Sequence, residues 1–247
     1  MHNLGHTRSA RKLDHLLLTP DTFIRAALPG MKDAVAIVHA SPAIGAAFTM
    51  YTVEFEPGGE LGDTNAQRFV FVLTGSLQVL AAAKQTLGPK NFLYLLQGGS
   101  HRISATEKST AIVIEKNYVA LPNVKAPDAV SGDEEKLASS PIVGDERLQV
   151  KSMLPDNPSF DFAVNTLSYA PGASLPVVEM HIMEHGLLML EGGGIYRLGD
   201  DWYSVTAGDF IYMAPWCPQW FGAIGKTPAK YLIYKDWNRH PLAGSQE

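Results

Sequence analysis

Residues 179–185, Glu-Met-His-Ile-Met-Glu-His, place a carboxylate and two imidazoles at E-x-H-x3-H spacing. On extended backbone, residues two apart share a face, so Glu179, His181 and His185 can point the same way. Further on, Gln219 can supply a fourth inward group if its strand lies beside the first. Two imidazoles, one carboxylate and one amide oxygen form an N/O set suited to Mn²⁺, Fe²⁺ or Zn²⁺, and poorly suited to Ca²⁺. No thiolate joins this set unless the single cysteine, Cys217, does. A structural zinc site is therefore disfavoured, and Cys217 is expected as a small buried apolar residue. Lone histidines in strands are usually core or surface groups; three donors at this spacing between Gly172 and Gly192 favour a metal. Glu184 has the opposite parity and is expected at the surface or just behind the ligands. Met180, Met183 and Met189 read as core packing.

The elements that must hold these groups are strands. Alternating or apolar β-forming stretches run over 48–55, 68–73, 92–96 and 110–115, and 22 Gly with 16 Pro cut the chain into short pieces. Residues 16–20 and 34–39 are candidate flanking strands, and helical periodicity is suggested only near 133–139. The pattern repeats internally. Phe48 to Gly58 resembles Phe162 to Gly172, Leu73-Thr74-Gly75 resembles Leu190-Glu191-Gly192, Phe92 to Leu95 resembles Phe210 to Met213, and Ile114 to Lys116 resembles Ile233 to Lys235. Four matches in one order predict an all-β chain of two tandem β-barrels. The expected division is 1–125 for the first, 126–150 for a linker rich in proline and acidic residues, and 151–247 for the second. Carried back through the repeat, Glu179, His181, His185 and Gln219 fall on Gly62, Thr64, Arg68 and His101. Arg68 would repel a divalent ion, so the first barrel is expected to be a degenerate partner, with His101 a remnant or a hydrogen-bonding residue.

Composition excludes some functions. With 46% hydrophobic and 18% charged residues the chain is an ordinary globular protein, and a net charge of −5 without a basic cluster argues against nucleic acid. No apolar run reaches the ~18 residues of a membrane span. The N-terminus has no apolar stretch long enough for a signal peptide, and one cysteine fits a reducing compartment, so the expected location is the cytoplasm without membrane partners.

The order Gly172…His181…His185…Gly192, then Gly208…Pro218-Gln219, resembles the two-part cupin motif, and its presence in both halves resembles a bicupin of two double-stranded β-helix domains. The Glu179-His181-His185-Gln219 set resembles the (S)-ureidoglycine aminohydrolase family, as do Glu184-His185-Gly186, Gly194-Ile195-Tyr196-Arg197-Leu198, Asp201-Trp202-Tyr203 and Tyr231-Leu232-Ile233-Tyr234-Lys235-Asp236. That resemblance implies Mn²⁺ on Glu179, His181, His185 and Gln219. It implies substrate contacts from Glu179, Tyr196, Gln219, Tyr231 and Lys235, with Lys235 and Glu179 catalytic. The implied reaction is hydrolysis of (S)-ureidoglycine to (S)-ureidoglycolate and ammonia in purine and allantoin breakdown, by a homo-oligomer. The residues themselves agree, since Tyr231, Ile233 and Lys235 alternate onto one face and an inward lysine is costly unless it meets an anion or a ligand. Core packing of the two tyrosines and a solvent-seeking lysine are the plainer readings. Another metal-dependent cupin enzyme acting on a small carboxylate, a dioxygenase or lyase, is the first alternative. A non-catalytic ligand-binding bicupin is the second, weakened by the lack of a helix-turn-helix output module.

Overall fold

The alternating stretches fold as strands: Thr49–Glu60, Gln67–Thr74, Asn91–Leu95 and Ser109–Lys116 in the first half, and Phe162–Tyr169, His185–Glu191, Phe210–Met213 and Ala229–Asp236 in the second. The computed structural model describes residues 6–239, and the fold is all-β. The chain divides into two units, Ile24–Leu137 and residues 138–239 together with 6–23. In the first unit the antiparallel neighbours run Asn91–Leu95, Gln67–Thr74, Ser109–Lys116, Thr49–Glu60. In the second they run Phe210–Met213, His185–Glu191, Ala229–Asp236, Phe162–Tyr169. The sequence repeat is thus a repeated four-strand order, with the inward faces of each unit filling a separate apolar core. Val53, Val70, Leu93, Ile103 and Val113 belong to one core, and Leu187, Tyr196, Ile211, Phe221 and Ile233 to the other.

Two matching glycines show why the repeat kept them. Gly75 and Gly192 both adopt positive φ, 78° and 64°. A Cβ on Gly75 would lie 2.6 Å from the Lys108 carbonyl oxygen, and one on Gly192 would lie 2.3 Å from that of Pro228. Each position combines a left-handed backbone with a close backbone approach, which only glycine meets without strain.

The structure redraws the expected division. Residues 6–23, expected with the first barrel, belong to the second unit, because the strand His15–Leu18 pairs antiparallel with the edge of Phe210–Met213, His15 opposite Met213. Arg8 anchors the same segment through a fork onto the buried Asp209 carboxylate, with contacts of 2.5 and 2.9 Å. The expected linker is also structured. Its strand Val130–Asp133 covers the edge of Asn91–Leu95, while Ser140–Ile142 and Asp145–Ser152 extend the sheet beyond Phe162–Tyr169. Short edge strands carry little alternation, and what they supply is pairing for exposed backbone N–H and C=O groups. The helical signal near 133–139 is a single 3-10 turn, Glu134–Lys136, capped by the Asp133 side chain accepting from the Glu135 amide.

Candidate active site and metal centre

A four-stranded sheet, ordered Glu179–Met180, Pro218–Ala223, Gly193–Leu198, Asp201–Thr206, completes the second unit. Its register sets Glu179 directly opposite Gln219, and Gln219 opposite Leu198. The strand carrying Glu179 ends at Met180, so His181 and His185 are not aligned along one extended strand. Instead the chain turns between them, and His185 opens the strand His185–Glu191, opposite Met213 on one side and Lys235 on the other. Two strands and a turn bring together what strand parity alone assigned to one face.

All the expected site residues meet at one cavity of about 280 Å³. Glu179, His181, His185, Tyr196, Gln219, Tyr231 and Lys235 line it, with Ile142, Val150, Leu167, Leu175 and Ile233 as apolar wall. Ser152 and Asn165 add polar groups that the sequence reading missed, since both lie on strands whose alternation carries no motif. Asn165 stands opposite Ile233 and Ser152 in the sheet, which is what turns it to the cavity.

The donors are close neighbours. Glu179 Oε2 lies 3.1 Å from His181 Nε2, and the His181 and His185 rings stand 5.0 Å apart. His185 is 2% exposed, and its Nδ1 has no hydrogen-bond partner. Burial, with Lys235 and His181 adding repulsion, lowers its pKa to about 3, so the imidazole stays neutral with a lone pair available. A buried, neutral imidazole with an unbonded nitrogen, in one cavity with a second imidazole and a carboxylate, suits a divalent metal of the Mn²⁺, Fe²⁺ or Zn²⁺ class. Gln219 is buried and its Oε1 accepts from the Tyr196 hydroxyl at 3.2 Å. Among the described residues, however, the carboxylate, imidazole and thiol donors that close to within 4.8 Å of one another are those of Asp14, His15 and Cys217. The cavity donors stand more openly around the space they share.

Around the donors lies a hydrogen-bonding wall. The Tyr169 and Tyr231 hydroxyls are 2.9 Å apart, and burial raises the pKa of Tyr196 and Tyr231 well above the ordinary phenol value. Both phenols therefore remain protonated donors. Burial lowers the Lys235 pKa, with Glu179 opposing the shift. Of the neighbouring expectations, that for Met180 changes, that for Cys217 holds, and Glu184 takes the inner of its two expected places. Glu184 is buried, not at the surface, and accepts from the Tyr212 hydroxyl at 3.1 Å. Met180 is 59% exposed, because Glu179 on the same short strand takes the inward place. Cys217 is buried in the apolar core and lies outside the cavity lining.

In the first unit Arg68 holds the register position that His185 holds in the second: it stands opposite Leu95 and Glu115, where His185 stands opposite Met213 and Lys235. Its guanidinium is 3% exposed, donates from Nε to Glu115 Oε1 at 2.8 Å and from Nη2 to the Gly62 carbonyl, and lies 2.9 Å from His101 Nε2. A larger opening in this unit, about 940 Å³, has His101 in its wall. A divalent ion at His101 would face the positive charge of the Arg68 guanidinium.

Comparison with known proteins gives the family. A family model described as a cupin domain matches residues 165–234. The chain is 39% identical to a probable (S)-ureidoglycine aminohydrolase of Oryza sativa subsp. japonica over 96% of this chain and 78% of that one. It is 37% identical to the (S)-ureidoglycine aminohydrolase of Arabidopsis thaliana over 96% and 80%. The crystal structure of protein Ylba from E. coli superposes with a TM-score of 0.84 at 30% identity, covering 96% of this chain and 97% of that one. On sequence, fold and extent together, the chain belongs to the (S)-ureidoglycine aminohydrolase family of cupin proteins.

Proposed function

We propose that the protein hydrolyses (S)-ureidoglycine to (S)-ureidoglycolate and ammonia in purine catabolism, with Mn²⁺ held by Glu179, His181, His185 and Gln219. The observation that carries this reading is the single cavity joining those four donors to Lys235 and two protonated tyrosines in a chain of this family. Its volume suits a small polar substrate whose one carbon bears an amine, a ureido group and a carboxylate. Bound Mn²⁺ would supply Lewis-acid polarisation and lower the pKa of a coordinated water.

The chain's own groups then have distinct tasks. Lys235, across the sheet from His185, offers its ammonium to the substrate carboxylate and offsets that charge where few waters compete. A lowered pKa also equips it to release and recover a proton at Nζ. Tyr196 orients Gln219 through its hydroxyl, and Tyr231, backed by Tyr169, donates toward the ureido oxygen. The Glu179 carboxylate accepts from the amine that departs as ammonia. Ile142, Val150 and Leu175 limit water around these contacts. A cytoplasmic homo-oligomer acting on a small molecule belongs to the same proposal.

The test is ammonia release from freshly generated ureidoglycine by the Mn²⁺-loaded protein, beside Lys235→Ala. Wild type is expected to exceed the spontaneous rate and the variant to lose at least about 100-fold in kcat/KM, the scale of general acid–base catalysis. No acceleration by the loaded wild type would overturn the assignment.

A further inference from the structure

We propose that Asp14, His15 and Cys217 form a second metal site in the C-terminal unit, distinct from the cavity centre and suited to Zn²⁺. One donor atom from each residue lies within 4.8 Å of the other two. The cluster is built by pairing, since His15 stands opposite Met213 in the sheet and the Ala214 amide donates to the Asp14 carbonyl at 2.9 Å. The following turn, closed by the Cys217 amide on the Ala214 carbonyl, sets the thiol against that pair.

The ring orientation fits a ligand. His15 Nε2 is 2.9 Å from the Tyr203 hydroxyl, which holds the imidazole by one nitrogen, while Nδ1 is hydrogen-bonded to Asp14 Oδ1 at 2.8 Å, a contact that a shared ion would replace. A hydrogen bond on the second nitrogen is the usual way a metal-bound histidine is fixed. Gly199 leaves the space open: a Cβ there would sit 3.0 Å from Asp14 Oδ2 and 3.8 Å from His15 Nδ1. His15 and Cys217 are each 3% exposed, whereas the Asp14 side chain keeps 43% of its surface, giving an ion a way in from solvent.

The donor chemistry separates this site from the other. One sulfur, one imidazole nitrogen and one carboxylate oxygen match the ligands of tetrahedral Zn²⁺, with water in the fourth position, while Mn²⁺ favours the all-N/O set of the cavity. Binding releases the thiol proton to solvent and leaves the ion held by thiolate and carboxylate. An ion here would fasten the N-terminal strand to the segment that runs on into Gln219.

Because Cys217 is the only cysteine in the sequence, it reports its own coordination. Metal-free full-length protein titrated with Co²⁺ should develop a near-ultraviolet thiolate-to-cobalt charge-transfer band, and with Zn²⁺ should retain two equivalents after gel filtration. The band should vanish in Cys217→Ser and in His15→Gln, each losing one Zn²⁺ equivalent. It should persist in the His181→Ala, His185→Ala double variant, which loses the other. Asp14→Asn replaces His15→Gln if circular dichroism shows the latter unfolded. Absence of the band in wild type would overturn the proposal, as would its survival in a folded His15→Gln or Asp14→Asn. Its loss in the folded double variant would assign the thiolate to the cavity centre and equally overturn the second site. None of these results depends on turnover of ureidoglycine.

Discussion

His185 combines burial with an unbonded nitrogen, and a neutral imidazole so placed gains from an electrophile that reaches it. His185→Ala should lower Mn²⁺ content at equal free metal, read by elemental analysis of the dialysed protein; full retention would remove His185 from the ligand set. Elsewhere burial of an imidazole sets acid sensitivity. His39 is 2% exposed, lies 2.8 Å by Nε2 from Thr52 Oγ1, and burial lowers its pKa to about 3. Between about pH 6.5 and 3 the unfolded chain takes up a proton that the folded chain refuses, so stability falls as pH falls through that window. At pH 5 this group alone costs about 2 kcal/mol. His39→Gln should shrink the difference between urea midpoints at pH 7 and pH 5, and an unchanged difference would refute that origin.

Strand elements explain why some of this was legible and some was not. Glu179, His181, His185 and Gln219 could be grouped from spacing because donor types recur at inward positions, and the cavity does gather them. The geometry behind the grouping differs, since His185 arrives through a turn onto a new strand. Ser152 and Asn165 were silent, because polar residues on a sheet face announce nothing until the opposing strand is known. Residues 16–20 read as a flanking strand; the strand runs His15–Leu18 and stops before the 3-10 turn at Pro20, and its partner is one that no local pattern encodes. Glycine turns were readable by repetition, and they carry a sharp expectation. Gly75→Ala and Gly192→Ala each place a Cβ against backbone carbonyls at positive φ, and each should cost at least about 1–3 kcal/mol by denaturant titration. A loss below that range at both sites would show that the turns relax.

For the whole molecule, the duplicated strand order was visible as drifting sequence matches, while the allocation of the N-terminal segment was not. The two units share a strand order, and at one shared register position they carry an imidazole in one and a guanidinium in the other. Glu115 keeps 19% of its side-chain surface and also accepts from the Tyr51 hydroxyl, so removing the buried guanidinium by Arg68→Ala should destabilise the protein by roughly 1–3 kcal/mol, the scale of leaving a buried polar partner unsatisfied. Calorimetry that showed no shift in the unfolding midpoint would contradict this. The strand at His15 has a consequence for synthesis. Its partners Tyr203 and Asp209 lie 188 residues from His15 and 201 residues from Arg8. On the ribosome this strand therefore emerges well before its partners, and the unit Ile24–Leu137 can close before they are made. Loop closure over such a span is slow. During that interval His15–Leu18 lacks the strand Phe210–Met213, which is when a nascent-chain chaperone or a stray sheet edge would find it.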